Sequence, residues 1–212
     1  MMLTVDIFSD VICPWCYVGK RRLEKAIATL GPAHPVQVRW LPFQLNPEMP
    51  QEGMGRIEYR TRKFGSLERS QALEATFLSA TAAERLQFAF DRIERTPNTR
   101  DAHRLIWLAE QQAIQDAVVE GLFRAYFTEA LDISARDILI DVVVEAGLDR
   151  TRTEDLLNGD EGLDFLQDAG IKARQIGISG VPFFIINREI RLSGAQPPET
   201  FLAAFQHAIA SA

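Results

Sequence analysis

The chain has 212 residues, 47% of them apolar and 25% charged, which is enough to bury a full core. A formal net charge of −6 argues against nucleic acid as a partner, and no segment reaches the ~18 apolar residues of a membrane span. The short basic run Lys20-Arg21-Arg22 reads as a solvated helix face.

Residues 3–8, Leu-Thr-Val-Asp-Ile-Phe, alternate with period two and predict a half-buried strand that Ser9-Asp10 can end. From Trp15 the apolar or small positions Val18, Gly19, Leu23, Ala26, Ile27 and Leu30 recur at helical spacing, and Gly31-Pro32 stops the helix. Pro14 suits the first helical turn, where no amide hydrogen is needed, so Cys13 stands at or beside the N-cap. Val36, Val38 and Trp40 predict a second strand, parallel to the first through the helical crossover. Residues 42–55, dense in Pro and Gly, read as an extended loop.

Between about 66 and 177 the pattern is mostly helical. Its start and stop signals are Ser66, Pro97-Asn98-Thr99, Ser134 with Asp137, Gly147, Thr151 with Glu154, and Asn158-Gly159. Leu86, Phe88 and Phe90 break that rhythm and alternate like an extended stretch. After Gly177 to Gly180, residues 181–186 predict a buried strand entered through Pro182. Asn187-Arg188 turns it into a hairpin with residues 189–192, and Pro197-Pro198 opens a last helix to about 210.

Cys13 and Cys16 are the only cysteines, and two residues separate them. As a structural staple the pair would close too small a loop to remove much unfolded-chain entropy. As half a zinc site it would need two more ligands, and His34, His103 and His207 show no second paired spacing, so no metal is expected. Two buried, inert thiols remain a third reading. The reading favoured by the helix start is a dithiol that opens and closes. Unpaired N–H groups and the positive end of the helix dipole favour the thiolate at position 13, and Cys16, one turn on, can reach back to the same sulfur.

Strand, turn and helix resemble the opening of the thioredoxin superfamily, and Ser9-Asp10-Val11-Ile12-Cys13-Pro14-Trp15-Cys16-Tyr17-Val18-Gly19-Lys20 resembles its DsbA-like branch, closest to the FrnE-type dithiol-disulfide oxidoreductases. The likeness continues through Phe43-Gln44-Leu45-Asn46-Pro47, Phe90-Asp91-Arg92-Ile93, Pro97-Asn98-Thr99 with Ala102-His103, Gly180-Val181-Pro182-Phe183-Phe184 and Ser193-Gly194-Ala195-Gln196-Pro197-Pro198-Glu199. It implies an α/β thioredoxin-like fold with an inserted all-helical domain: residues 1–60 and 163–212 form the discontinuous thioredoxin-like domain, and 61–162 the insert. It further implies a cis Val181–Pro182 bond against the Cys13 sulfur, with the Val181 backbone pairing with the substrate chain.

The function expected is a cytosolic thiol-disulfide oxidoreductase or isomerase, with Cys13 as nucleophile, Cys16 as resolving thiol, and Pro14, Trp15, Val181 and Pro182 supporting the site. Its substrate would be a disulfide- or thiol-containing protein or small molecule. No cofactor is expected to be bound; glutathione is the candidate redox partner. No basic stretch with an apolar run follows Met1, which leads to the cytosolic expectation. The alternative is a glutathione-dependent isomerase or transferase resembling the 2-hydroxychromene-2-carboxylate isomerase and kappa-class enzymes. Those relatives usually carry a serine where Cys13 stands, lack a resolving thiol, and place an acidic group where Ala195-Gln196 offers none. Asp6 and Asp10, the carboxylates nearest the dithiol in sequence, are candidates to take the Cys16 proton, with solvated or capping roles expected for both. Asn98 and His103 are expected to supply a cap and a structural hydrogen bond at a helix start rather than a direct substrate contact, and the Trp15 ring either to pack or to offer an apolar surface to substrate.

Overall fold

The computed structural model describes residues 2–211. Its central sheet has four strands in the order β2-β1-β5-β6, formed by β1 (Leu3–Ser9), β2 (Val36–Pro42), β5 (Phe183–Ile186) and β6 (Ile190–Ser193). β1 and β2 are parallel, in the register Ile7 opposite Trp40, and are joined across one face by α1 (Pro14–Leu30). β5 runs antiparallel to β1 with Ile7 opposite Phe184, and β6 antiparallel to β5 with Phe184 opposite Leu192.

The pleat sorts the side chains. Leu3, Val5 and Ile7 of β1, with Phe184 and Ile186 of β5, join the cluster under α1 and α9 (Pro198–Ala210). Phe8, Leu41 and Ile185 point the other way, into a second cluster with Ala173 and Ile178 at α8 (Leu163–Gln175). The alternation expected for the first strand holds from Leu3 to Ile7, where Thr4 and Asp6 are half-buried, and the second face becomes buried only at Phe8 and Ser9.

Between β2 and α8 the chain forms a two-stranded ribbon and six helices. The ribbon pairs β3 (Met54–Gly55) with β4 (Arg95–Thr96), and the helices are α2 (Arg56–Phe64), α3 (Leu67–Thr81), α4 (Arg100–Gln111), α5 (Gln115–Phe123), α6 (Arg136–Glu145) and α7 (Arg150–Asn158). Ser66 caps α3 as its position suggests, accepting the Arg69 N–H at 3.1 Å. Two other starts differ from expectation. α7 begins at Arg150 because Asp149, not Thr151, accepts from the Arg152 N–H at 2.8 Å; α6 begins at Arg136, while the Ser134 hydroxyl turns to Asp132. Residues 86–90 pair with no strand. The Ala89 N–H instead reaches the Phe127 carbonyl at 2.7 Å, and Phe88 and Phe90 stack at 5.1 Å into the aromatic cluster below α3.

These helices are sutured to the sheet by polar groups. The Gln115 side chain accepts the Trp40 N–H at 2.8 Å and donates to the Trp40 carbonyl at 3.0 Å, continuing the β2 ladder with an amide from α5. Lys20 on α1, only 3% exposed, meets Glu24, Asp116 and Glu120. Tyr17 stacks on Phe123 at 4.9 Å beside it. The helix that begins at the dithiol is thus fixed against α5 by both charge and ring packing.

Candidate active site

β1 ends at Ser9, and a single turn carries the chain to Cys13, the N-cap of α1. The turn is closed by the Cys13 N–H to Asp10 carbonyl bond at 3.0 Å, and the first helical turn by Cys16 N–H to Cys13 carbonyl at 2.9 Å. Pro14 takes the first helical position. The Cys13 side chain makes no capping bond, so its sulfur is free to face away from the helix. It is a free thiol that donates to the Val181 carbonyl across 3.5 Å.

Val181 and Pro182 arrive from the far end of the chain, immediately before β5, and the bond between them is cis. Gly19 lets α1 come close: a Cβ built there would lie 3.0 Å from the Pro182 ring. Four of the expected site residues, Cys13, Cys16, Val181 and Pro182, thus meet where the start of α1 faces the entry to β5.

The two thiols differ in environment. Cys13 is 6% exposed and Cys16 1%. Burial pushes the Cys16 thiol well above the usual thiol range, and the adjoining Cys13 sulfur raises it further; Ser9 and the Asp10 backbone act in the opposite direction. Cys16 therefore holds its proton until something takes it.

The expectation of a solvated or capping Asp10 fails. Asp10 is fully buried, one carboxylate oxygen accepting the Leu45 N–H at 2.7 Å and the other standing 3.5 Å from His103 Nε2. Neither the second oxygen nor that nitrogen has a hydrogen-bond partner among the described residues. His103 is thus a buried neighbour of Asp10 whose Nε2 lacks the structural hydrogen bond expected of it, and Asn98 stands one residue before Thr99, the N-cap of α4, accepting from the Arg100 N–H at 2.8 Å. Asp6 lies on β1 and is held by Arg39 at 3.0 and 3.2 Å.

Trp15 is 39% exposed and packs edge-on against Phe77 of α3 at 4.9 Å. The two rings help line a cavity of about 380 Å³ that also has Cys13 and residues of α2 and α3 in its lining. Arg56, Arg60 and Lys63 of α2 line it as well. The sequence reading left these three unassigned, although their i, i+4, i+7 spacing on a short helix was the signal that would have found them. No pattern in the sequence joins Asp10 to His103. Among the described residues no group of three or more His, Cys, Asp or Glu could hold a metal ion, and no helix is long and apolar enough to cross a membrane.

The model of the DSBA-like thioredoxin domain matches residues 4–206. A solved structure of a probable DsbA oxidoreductase from Streptomyces coelicolor is 33% identical, with 99% of this chain and 91% of that one covered at a TM-score of 0.88. YwbO of Bacillus subtilis, a protein without an assigned function, is 26% identical over 95% of this chain and 94% of its own. The cytosolic disulfide reductase DsbM from Pseudomonas aeruginosa, also solved with GSH, is 19% identical, covers 99% of this chain and 100% of its own, and superposes with a TM-score of 0.69.

Proposed function

The chain belongs to the DSBA-like thioredoxin domain family, and from that premise we propose that it is a dithiol-disulfide oxidoreductase of the cytoplasm, with Cys13 as the attacking sulfur and Cys16 as the resolving one. The observation that carries the proposal is the asymmetry of the two free thiols: Cys13 caps α1 and faces the Val181 carbonyl, while Cys16 lies one turn deeper with its proton held by burial.

The reduced protein offers the Cys13 thiolate to a disulfide. One substrate sulfur leaves as a thiolate and a Cys13-substrate disulfide forms. Cys16 then loses its proton, attacks the Cys13 sulfur and releases the second substrate thiol, leaving the protein oxidised by two electrons and the substrate reduced by two. A substrate chain lying along Val181 would pair with its backbone in place of the weak Cys13 thiol contact, as an added strand does at a sheet edge. Pro14 and Trp15 shape the approach, Pro182 backs the sulfurs, and glutathione is the proposed exchange partner that sets the resting state. The division into a thioredoxin-like part, 1–60 with 163–212, and a helical insert, 61–162, belongs to the same proposal.

The test is titration of the dithiol against a glutathione redox buffer, read by mass and by tryptophan fluorescence. A two-electron transition is expected, as is mixed-disulfide trapping by Cys16→Ser but not by Cys13→Ser. A protein whose mass never changes across the range is not an oxidoreductase. Labelling of Cys16 before Cys13 would reverse the assigned roles.

A further inference from the structure

The cavity beside Cys13 has a chemical bias that the dithiol alone does not explain. Its apolar side is aromatic, formed by Trp15, Phe77 and Phe90. Beside these rings the lining carries charge in unequal amounts, the Arg56 guanidinium lying 5.3 Å over the Phe90 ring. Glu74 is the one carboxylate in the lining, and a single one of its oxygens accepts from Arg56 at 2.6 Å and forms an ion pair with Arg60 at 3.0 Å. Lys63 adds a third cation, donating to the Tyr59 hydroxyl at 2.6 Å over the Tyr59 ring, and has no carboxylate within ion-pair distance among the described residues.

Three cations against one anion leave two positive charges in excess on this wall, in a protein whose overall charge is −6. Two of the three cations are poorly solvated, the Arg56 and Arg60 side chains being 10% and 15% exposed, whereas Lys63 stands exposed at the rim. Burial, with Arg56 adding to it, holds the Arg60 guanidinium below its usual range even though Glu74 pulls it up. Arg60 donates besides to Ser70 and Arg56 lies over Phe90, but the two guanidinium groups have one carboxylate between them, and an incoming anion would supply the missing counter-charge. At about 380 Å³ the cavity has the size of a small-ligand site, and Trp15 and Leu73 in its lining stay 39% and 45% exposed, so it opens on apolar surface.

Building on the dithiol reading above, we infer that the substrate is a small disulfide with an aromatic or otherwise apolar body and a carboxylate, its sulfur placed at Cys13, its body against Trp15 and Phe77, and its carboxylate at Arg60 and Lys63. Cys13 takes one half of the disulfide and expels the other as a thiolate. Cys16 then displaces the half that is bound, giving two thiols and the oxidised protein. A thiol or dithiol reductant must return the protein to its reduced state for a further turnover.

The experiment is a single turnover of prereduced protein, with no added reductant, on the disulfide of para-mercaptobenzoate and on its uncharged dimethyl ester. Each rate is divided by the rate of the same compound with free 2-mercaptoethanol, a thiol with no carboxylate, which removes the difference in leaving groups. The corrected rate should favour the dianion by about tenfold at low salt and lose that preference as salt rises. Lys63→Gln should reduce the preference about fivefold, and Glu74→Gln, which enlarges the positive surplus, should increase it. A corrected ratio at or below one, a ratio that both variants leave unchanged, or faster reduction of an insulin-type protein disulfide overturns the inference. Calorimetry of para-(methylthio)benzoate and its methyl ester with Cys13→Ser reads the cavity without any redox step. Tighter binding of the acid, where the parent protein with Cys13 intact reduces no disulfide, would remove the oxidoreductase reading and keep the cavity's ligand class; equal binding of acid and ester removes the class as well.

Discussion

Gly19 stands in the middle of α1, where a glycine normally costs a helix about 1 kcal/mol relative to alanine. An alanine there should therefore stabilise, were the helix alone. The tertiary contact says otherwise. The new Cβ would sit 3.0 Å from Pro182 Cγ and 3.1 Å from Phe184 Cζ, against 3.4–4 Å for ordinary contact. Neither neighbour can retreat freely: Pro182 is buried, and Phe184 is fully buried with its ring edge-on to Phe201 at 4.7 Å. Overpacking of a tight core costs about 1–3 kcal/mol, so the clash outweighs the helical gain and Gly19→Ala should destabilise by about 1 kcal/mol. For a chain of this size that lowers Tm by about 2–4 °C. Gly19→Val should cost more, since it adds two methyl groups to the same contact. The assay is urea denaturation of the reduced protein with paired rates of disulfide exchange. A lower midpoint at unchanged m-value is expected, together with slower exchange as Pro182 is pushed from the sulfurs. A Gly19→Ala protein that is about 1 kcal/mol more stable, as an unpacked helical glycine would give, refutes the reasoning.

The raised Cys16 pKa predicts alkaline weakening of the reduced protein. An unfolded thiol loses its proton near 9.0 while buried Cys16 keeps it, so stability falls as pH rises above about 9, by up to about 1.4 kcal/mol per pH unit. Cys16→Ala should flatten that limb, leaving the later fall that Tyr17 and Tyr126, pushed up to about 12, produce in both proteins; identical limbs would contradict the burial argument. Lys20→Ala should cost about 1–2 kcal/mol in chemical denaturation, below the loss from a fully dry pair because Asp116 and Glu24 are partly solvated, and Lys20→Met should recover part of it through its packed stem. Equal losses in the two variants would place the effect in the charge alone. Cys13→Ser should be inactive on disulfides and inactive in glutathione conjugation and chromene isomerisation. Strong glutathione-dependent activity of that variant, with the serine hydroxyl holding the glutathione sulfur, would favour the isomerase or transferase alternative.

The dithiol, its place at a helix start and the strand-helix-strand opening were legible in the sequence, because each depends on residues within one or two turns of each other. Pro14 sets a helical φ wherever it stands, and period-two apolar residues mark a strand before any partner is known. The hairpin after Gly180 and the cap at Ser66 were readable for the same reason. Helix starts at Ala135 and Asp149 were misplaced because several capping residues stand close together and packing, not sequence, selects which one is used. The site's surroundings were decided only by the tertiary structure. Asp10 is an ordinary acidic residue at a strand end until α4 brings His103 against it, and its burial depends on that long-range packing. The cationic wall was visible as spacing on α2, but its meaning was not. Three cations become a shortage of anion only when α3 supplies Glu74 as their one carboxylate in the cavity and the helix pair closes over Cys13, because an unbalanced charge is costly only once water has been excluded from around it.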